Sequence, residues 1–176
     1  HELAKPFYRT YFFGDELVQV IPLHACNLSA FLIAIYLFTR KKVFFEVAYY
    51  WGLAGGTMAL LTPDLLYAFP DVEWFPFFTG HGVMIMAIFF SMFCHNIFPT
   101  KHSYRRVVLI TLSLLPMIFI INTLLGPPAN YWYLNTKPEG DSLMSYMPSP
   151  PFHIPIAMGI ALGIFYLLHI PFRKKL

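Results

Sequence analysis

The sequence predicts an all-α, polytopic transmembrane helical bundle, and three observations carry that prediction. First, 57% of the 176 residues are hydrophobic and only 12% are charged, with a mean hydropathy of +0.58. A soluble domain carries about 25% charge. Second, the apolar residues gather into five runs, each near the ~20 residues that cross a bilayer. Third, the basic residues collect at one set of connections between those runs. Together these features argue against a soluble enzyme and for a single transmembrane domain over residues 1–176.

Residues 1–15 are mixed and aromatic, with Tyr8, Tyr11, Phe12 and Phe13. Such rings suit a membrane interface. Five spans are expected at about 20–39, 43–62, 75–97, 104–125 and 151–171. The chain opens at His1 rather than Met, so further residues are expected upstream. Arg40, Lys41, Lys42, Lys101, Arg105, Arg106, Arg173, Lys174 and Lys175 all fall on one side of this arrangement. By the positive-inside rule that side is cytoplasmic, in a multi-pass protein of the cell membrane whose C-terminus is inside. Acidic residues, among them Asp15, Glu16, Asp71, Glu73, Glu139 and Asp141, lie on the other side.

The second span carries Gly52-Leu-Ala-Gly-Gly56, and small residues four apart let helices approach closely. Gly159 and Gly163 repeat that spacing in the fifth span. The second span should stop at Thr62-Pro63, because proline disfavours helix in the residue before it. Pro76 suits the first turn of the third span. Pro116 predicts a kink in the fourth. The long connection at about 126–150 is rich in Pro, Gly, Asn and Tyr, the composition of a lid or binding loop.

Chemistry concentrates in Pro22-Leu-His-Ala-Cys-Asn-Leu-Ser29. Ionisable and polar groups inside a span are costly and usually mark a site. With Pro22 in the first turn, Cys26 would lie about 8 Å below the outer end of its helix. With Pro76 in the first turn, His81 would lie at a similar depth, about 8 Å. Asp64, Asn122 and His153 fall near the outer ends of the second, fourth and fifth spans. His24 and Asn27 are three apart and share a helix face, whereas Cys26 needs a partner from another helix. His81 is the best match in depth, and a histidine beside a thiol can convert it to a nucleophilic thiolate. A buried cysteine is otherwise usually inert. Cys94 sits toward the cytoplasmic end and is read as inert. Lys137 either holds a phosphate head group or is solvated. No structural disulfide, metal site or cofactor is expected.

Five ordered pieces resemble the YwaF-like bacterial integral membrane family: Pro22-Leu-His-Ala-Cys-Asn-Leu-Ser, Tyr50-Trp-Gly-Leu-Ala-Gly-Gly, Leu61-Thr-Pro-Asp-Leu, His81-Gly and Asn130-Tyr-Trp-Tyr-Leu-Asn-Thr-Lys-Pro. The resemblance covers nearly the whole chain. It implies a seven-span fold, with about two helices preceding His1. Members commonly have Pro-Leu-His-Leu-Cys where this chain has Ala25, and Trp-Pro where it has Ser149-Pro-Pro-Phe. That family is similar in turn to eukaryotic membrane phospholipid acyltransferases that work through a cysteine and a histidine. The resemblance matches those two residues to Cys26 and His81. More distantly it is similar to membrane hydrolases that use a threonine and a histidine, an analogy at the level of fold.

The expected function is acyl transfer or ester hydrolysis on a membrane lipid in an outward-facing pocket. Cys26 attacks the ester carbonyl and His81 moves the proton. His24 or Asn27 orients a partner or stabilises the oxyanion, and Asp64 orients His81. Asn122, Asn130, Lys137 and His153 complete the supporting or substrate-binding set. A transporter or small-molecule-binding membrane protein is the alternative, and a structural or sensory protein is a third. No nucleic-acid partner is expected.

Overall fold

A computed structural model describes residues 2–63, 65, 69–138 and 142–173. Among these residues all regular structure is helical, as the composition predicts.

The chain enters through a short helix α1 (Lys5–Tyr8), a π-helical turn (Arg9–Phe13) and a second short helix α2 (Leu17–Val20). Gly14 ends the π turn at φ +76, a left-handed conformation that glycine adopts without steric cost. Pro22 then breaks the chain. It has no N–H to give a helix and holds Ile21 out of the helical region. The next helix, α3 (Ala25–Thr39), therefore begins after the proline and not near residue 20. This corrects the expected depth of Cys26. Pro22 separates two helices instead of opening one, and Cys26 is the second residue of α3.

Arg40, at φ 56, closes α3 by donating its N–H to the Tyr36 carbonyl at 2.8 Å. Helix α4 (Lys42–Leu61) stops just short of Pro63. Helix α5 (Trp74–Cys94) carries Pro76 in its first turn, and α6 (Ser103–Leu125) runs on through Pro116 to end at Gly126, φ +69. Two 3-10 turns, Tyr131–Tyr133 and Leu143–Tyr146, punctuate the long loop. Helix α7 (His153–His169) is prolonged by a 3-10 turn, Ile170–Phe172. Trp74–Cys94, Ser103–Leu125 and His153–Phe172 are long and apolar enough to cross a membrane, and Ala25–Thr39 is a shorter apolar helix. This is a helical membrane bundle.

Helix α4 occupies the centre, packed by α3, α5, α6 and α7, with Phe45, Ala48 and Tyr50 wholly buried. Its glycines explain how α5 comes so close. A Cβ at Gly52 would stand 2.7 Å from Ile88 Cδ1, and one at Gly56 would stand 2.6 Å from Met84 Cε. Real Cβ atoms do not approach so closely, so α5 fills the space that the missing side chains leave. Gly159 and Gly163 differ from expectation: a Cβ at either would meet open space, so they mark no helix contact in this bundle.

Lipid tails are as apolar as the side chains, so polar ties matter to cohesion here. Glu46, fully buried near the start of α4, accepts a hydrogen bond from Ser103 Oγ at 2.7 Å and pairs with Arg106, both on α6. Trp51 Nε1 donates to Thr111 Oγ1 at 2.9 Å, and the Tyr50 hydroxyl meets His169 Nδ1 at 2.8 Å. The bundle is thus pinned on two sides of α4.

Candidate functional site

The long loop is tied down through three consecutive aromatic residues. Asn122, near the end of α6 and buried, donates from Nδ2 to the Tyr131 carbonyl at 3.0 Å. Its Oδ1 accepts the Tyr131 N–H at 2.9 Å. The Tyr131 hydroxyl donates to the Val18 carbonyl of α2, and burial pushes the Tyr131 phenol above its ordinary pKa. Trp132 Nε1 donates to the Leu23 carbonyl at 3.0 Å, just before α3, and its ring meets Trp51 edge-on at 5.4 Å. The Tyr133 carbonyl accepts from His153 Nε2 at 2.7 Å, at the first residue of α7. Trp132 and Tyr133 both hold left-handed backbone, φ 58 and 53. Such conformations cost of order 1–3 kcal/mol each and persist only where surrounding bonds fix them. Helices α2, α6 and α7, together with the Leu23 carbonyl, supply those bonds.

Behind this loop lies a cavity of about 950 Å³. Its walls combine polar side chains, among them Lys5, Arg9, His24, Cys26, Asn27 and His81, with apolar ones such as Met84, Ile164 and Phe165. Arg9 is paired with Asp15, and with Glu73 at 2.6 Å. Burial alone would lower its pKa, but the two carboxylates outweigh burial and hold the guanidinium above its ordinary value. Lys5 forms no ion pair among the described residues and is an electrostatic neighbour of both Cys26 and His81, as is Glu2.

The sequence-derived residues divide by role. Cys26, His81, His24, Asn27, Asn130, Lys137 and His153 all border the cavity. Asn122 does not; its amide is spent on Tyr131. Asp64 lies outside the described residues. Asn130 organises the loop: Nδ2 donates to the Thr136 carbonyl at 2.9 Å, while Oδ1 accepts the Asn135 and Thr136 N–H groups. Lys137 Nζ donates to the Ser145 and Met147 carbonyls at 3.2 and 3.0 Å, so much of its donor capacity goes to holding the loop. Asn27 donates to Glu2 Oε2 at 2.5 Å. The His24 ring lies against Tyr131 and Tyr133. Sequence reasoning passed over Tyr131, Trp132 and Tyr133 individually. Their signal was an unbroken aromatic run inside a polar, proline-rich loop.

His81 has a defined tautomer. Its Nδ1 lies 2.8 Å from the Phe77 carbonyl one turn earlier. A carbonyl only accepts, so Nδ1 carries the proton and the neutral ring keeps its lone pair on Nε2. The Phe77 ring, 4.5 Å away, braces the imidazole. Cys26 sits in the first turn of α3, against its own N–H and that of Asn27. Leu28 is the first residue of that turn to reach an intrahelical carbonyl, His24 O at 3.0 Å. No intrahelical carbonyl takes the N–H groups before it, and those of Cys26 and Asn27 face the thiol. Among the described residues no three His, Cys, Asp or Glu side chains gather to hold a metal. Cys94 is exposed and does not border the cavity.

The chain matches the TMEM164 family over residues 1–169, and it belongs to that family. It is 26% identical over 162 residues to a protein of Treponema pallidum (strain Nichols) described only as an uncharacterized protein. That match covers 92% of this chain and 66% of the relative, so the chain spans a little under two thirds of the relative's length. No solved structure matches.

Proposed function

We propose that this member of the TMEM164 family transfers or hydrolyses acyl esters of membrane lipids through Cys26 and His81. The observation that carries the reading is that a cysteine and a tautomer-fixed histidine, on the packed helices α3 and α5, border one cavity whose walls are both polar and apolar. An ester lipid likewise combines polar and apolar parts. In this scheme His81 Nε2 takes the Cys26 thiol proton and the sulfur attacks the ester carbonyl carbon. The N–H groups of the first turn of α3, which face the thiol, receive the developing oxyanion. The C–O bond breaks, the alcohol leaves with the proton from His81, and a thioester remains on Cys26. A second alcohol, or water, then gives its proton to His81 and attacks the thioester, and the cysteine thiol is restored. The reading agrees with the eukaryotic acyltransferase resemblance.

Acyl transfer between phospholipids in the purified protein tests the scheme. Cys26→Ala and His81→Ala should each lower the rate at least about a hundredfold, and the double variant should be no worse than either, because the pair acts as a unit. Activity that survives Cys26→Ala overturns the scheme. A binding or transport role for the same cavity then leads; the helix break at Ile21–His24 beside the cavity favours it, as interrupted helices do in transporters.

A further inference from the structure

Glu2, Lys5 and Arg9 stand at i, i+3 and i+7, the spacing of one helical face, and all three border the cavity. The segment that carries them is clamped at both ends. Glu2 Oε2 accepts from Asn27 Nδ2 at 2.5 Å, beside Cys26 on α3. Arg9 pairs at 2.6 Å with Glu73, the residue that precedes α5, the helix of His81. Lys5 lies between the two clamps. Lys5 and Cys26 are both only partly buried, and both face the cavity. Arg9 spends its charge on Asp15 and Glu73, whereas Lys5 forms no ion pair among the described residues. Lys5 and Glu2 are the charged side chains that act on both Cys26 and His81, and Lys5 acts the more strongly on each.

We infer that Lys5 is the charge-positioning residue of the Cys26–His81 pair, its ammonium held at the cavity wall to stabilise the negative charge that the sulfur takes up as it becomes a nucleophile. A cation favours a nearby anion, and the effect is strongest where water is scarce. The same charge opposes a lasting imidazolium on His81, so the proton passes on to the leaving alcohol. Glu2 holds the segment to Asn27, and its opposite charge partly offsets that of Lys5. The inference rests on the reading of Cys26 as the nucleophile and deepens it. It gives the entrance segment, with its two clamps, a role in the chemistry as well as in the fold.

The experiment reads the thiol itself: the rate at which iodoacetamide alkylates Cys26 as pH is varied, in the purified full chain in lipid nanodiscs. Cys94→Ala in every sample leaves Cys26 as the one cysteine of the sequence. The rate follows thiolate content. Lys5→Met should move the profile to higher pH by about one unit, so alkylation at a fixed pH below the midpoint slows about tenfold. Lys5→Arg keeps the charge and should keep the wild-type profile. Glu2→Gln keeps an acceptor for Asn27 but removes the opposing charge, and should move the profile to lower pH by a smaller amount. A profile that Lys5→Met leaves in place overturns the inference, whether the variant melts earlier, as a structural strap would, or raises KM, as a holder of the lipid phosphate would. Equal shifts from Lys5→Arg and Lys5→Met also overturn it, because shape and not charge would then be at work. If Lys5→Met does not fold, Glu2→Gln decides, and a profile that fails to move to lower pH overturns the inference. Alkylation needs no lipid, so the two readings fail separately. Acyl transfer absent with the Lys5 shift intact refutes the reaction alone, and acyl transfer intact with the profile unmoved refutes the role of Lys5 alone.

Discussion

The side-chain amide of Asn122 satisfies both backbone groups of Tyr131, donating to its carbonyl at 3.0 Å and accepting its N–H at 2.9 Å. A side chain on α6 thereby does for the loop what a neighbouring strand would do in a sheet. The loop that walls the cavity is held through that contact, because Tyr131, Trp132 and Tyr133 reach α2, the segment just before α3 and the start of α7. Asn122→Ala leaves two buried backbone groups without partners, at about 1–3 kcal/mol each. The variant should melt at a lower temperature and lose lipid activity together with it. Thermal unfolding in detergent checks the first effect, and an unchanged melting temperature would remove Asn122 from this role.

Two adjacent glycines should give opposite phenotypes. A Cβ at Gly56 meets Met84 Cε, whereas one at Gly55 meets open space on the cavity wall. Gly56→Leu should destabilise the bundle by about 1–3 kcal/mol through overpacking. Gly55→Leu should leave stability nearly unchanged and block lipid entry. Unfolding and lipid binding measured on both variants separate these effects, and equal destabilisation by the two would contradict the packing described.

The pair between Glu46 and Arg106 is asymmetric, since the Glu46 side chain is fully buried and that of Arg106 is 47% exposed. Removing the arginine strands a buried carboxylate; removing the carboxylate strands only a half-exposed cation. Arg106→Met should therefore cost several kcal/mol, on the order of 3, and Glu46→Gln should cost clearly less. The comparison is made by chemical or thermal unfolding, and the reverse order would show that the buried charge is not held by Arg106.

The positive-inside rule predicts that the connections carrying Arg40, Lys41, Lys42, Lys101, Arg105 and Arg106 are cytoplasmic. A cysteine placed at Thr136 should react with an impermeant thiol reagent added outside the cell, and one placed at Lys174 should react only after permeabilisation. Labelling of position 136 from the cytoplasmic side alone would invert the orientation.

Much of the bundle was legible in composition and in apolar runs, because a lipid-facing helix must be apolar along its length whatever it packs against. Proline was harder to read. Pro22 and Pro76 look alike in sequence, yet Pro76 lies in the first turn of α5 while Pro22 separates α2 from α3. Which of the two a proline does depends on whether the preceding residues find their own helical partners. Small-residue spacing was equally ambiguous. Gly52 and Gly56 receive α5, whereas Gly159 and Gly163 face open space, and only the neighbouring helix decides between them. At the cavity the residue types that attract notice in a sequence were located, but not their hydrogen bonds. Asn122, Asn130 and Lys137 have the chemistry of binding residues, and much of their hydrogen-bonding capacity goes to backbone groups of the loop. The lone carboxylate in the second apolar run, Glu46, was visible in sequence; its partner on α6 was not.

The central claim is that Cys26 carries the acyl group and His81 moves its proton, and the most direct measurement is the mass of the protein caught in turnover. Purified protein incubated with a phospholipid should gain one acyl group, labile to hydroxylamine, on the peptide that contains Cys26. The adduct should be absent in Cys26→Ala, strongly reduced in His81→Ala, and missing from Cys94 throughout. An active preparation that never acylates Cys26, or one that acylates it equally well without His81, would contradict the account.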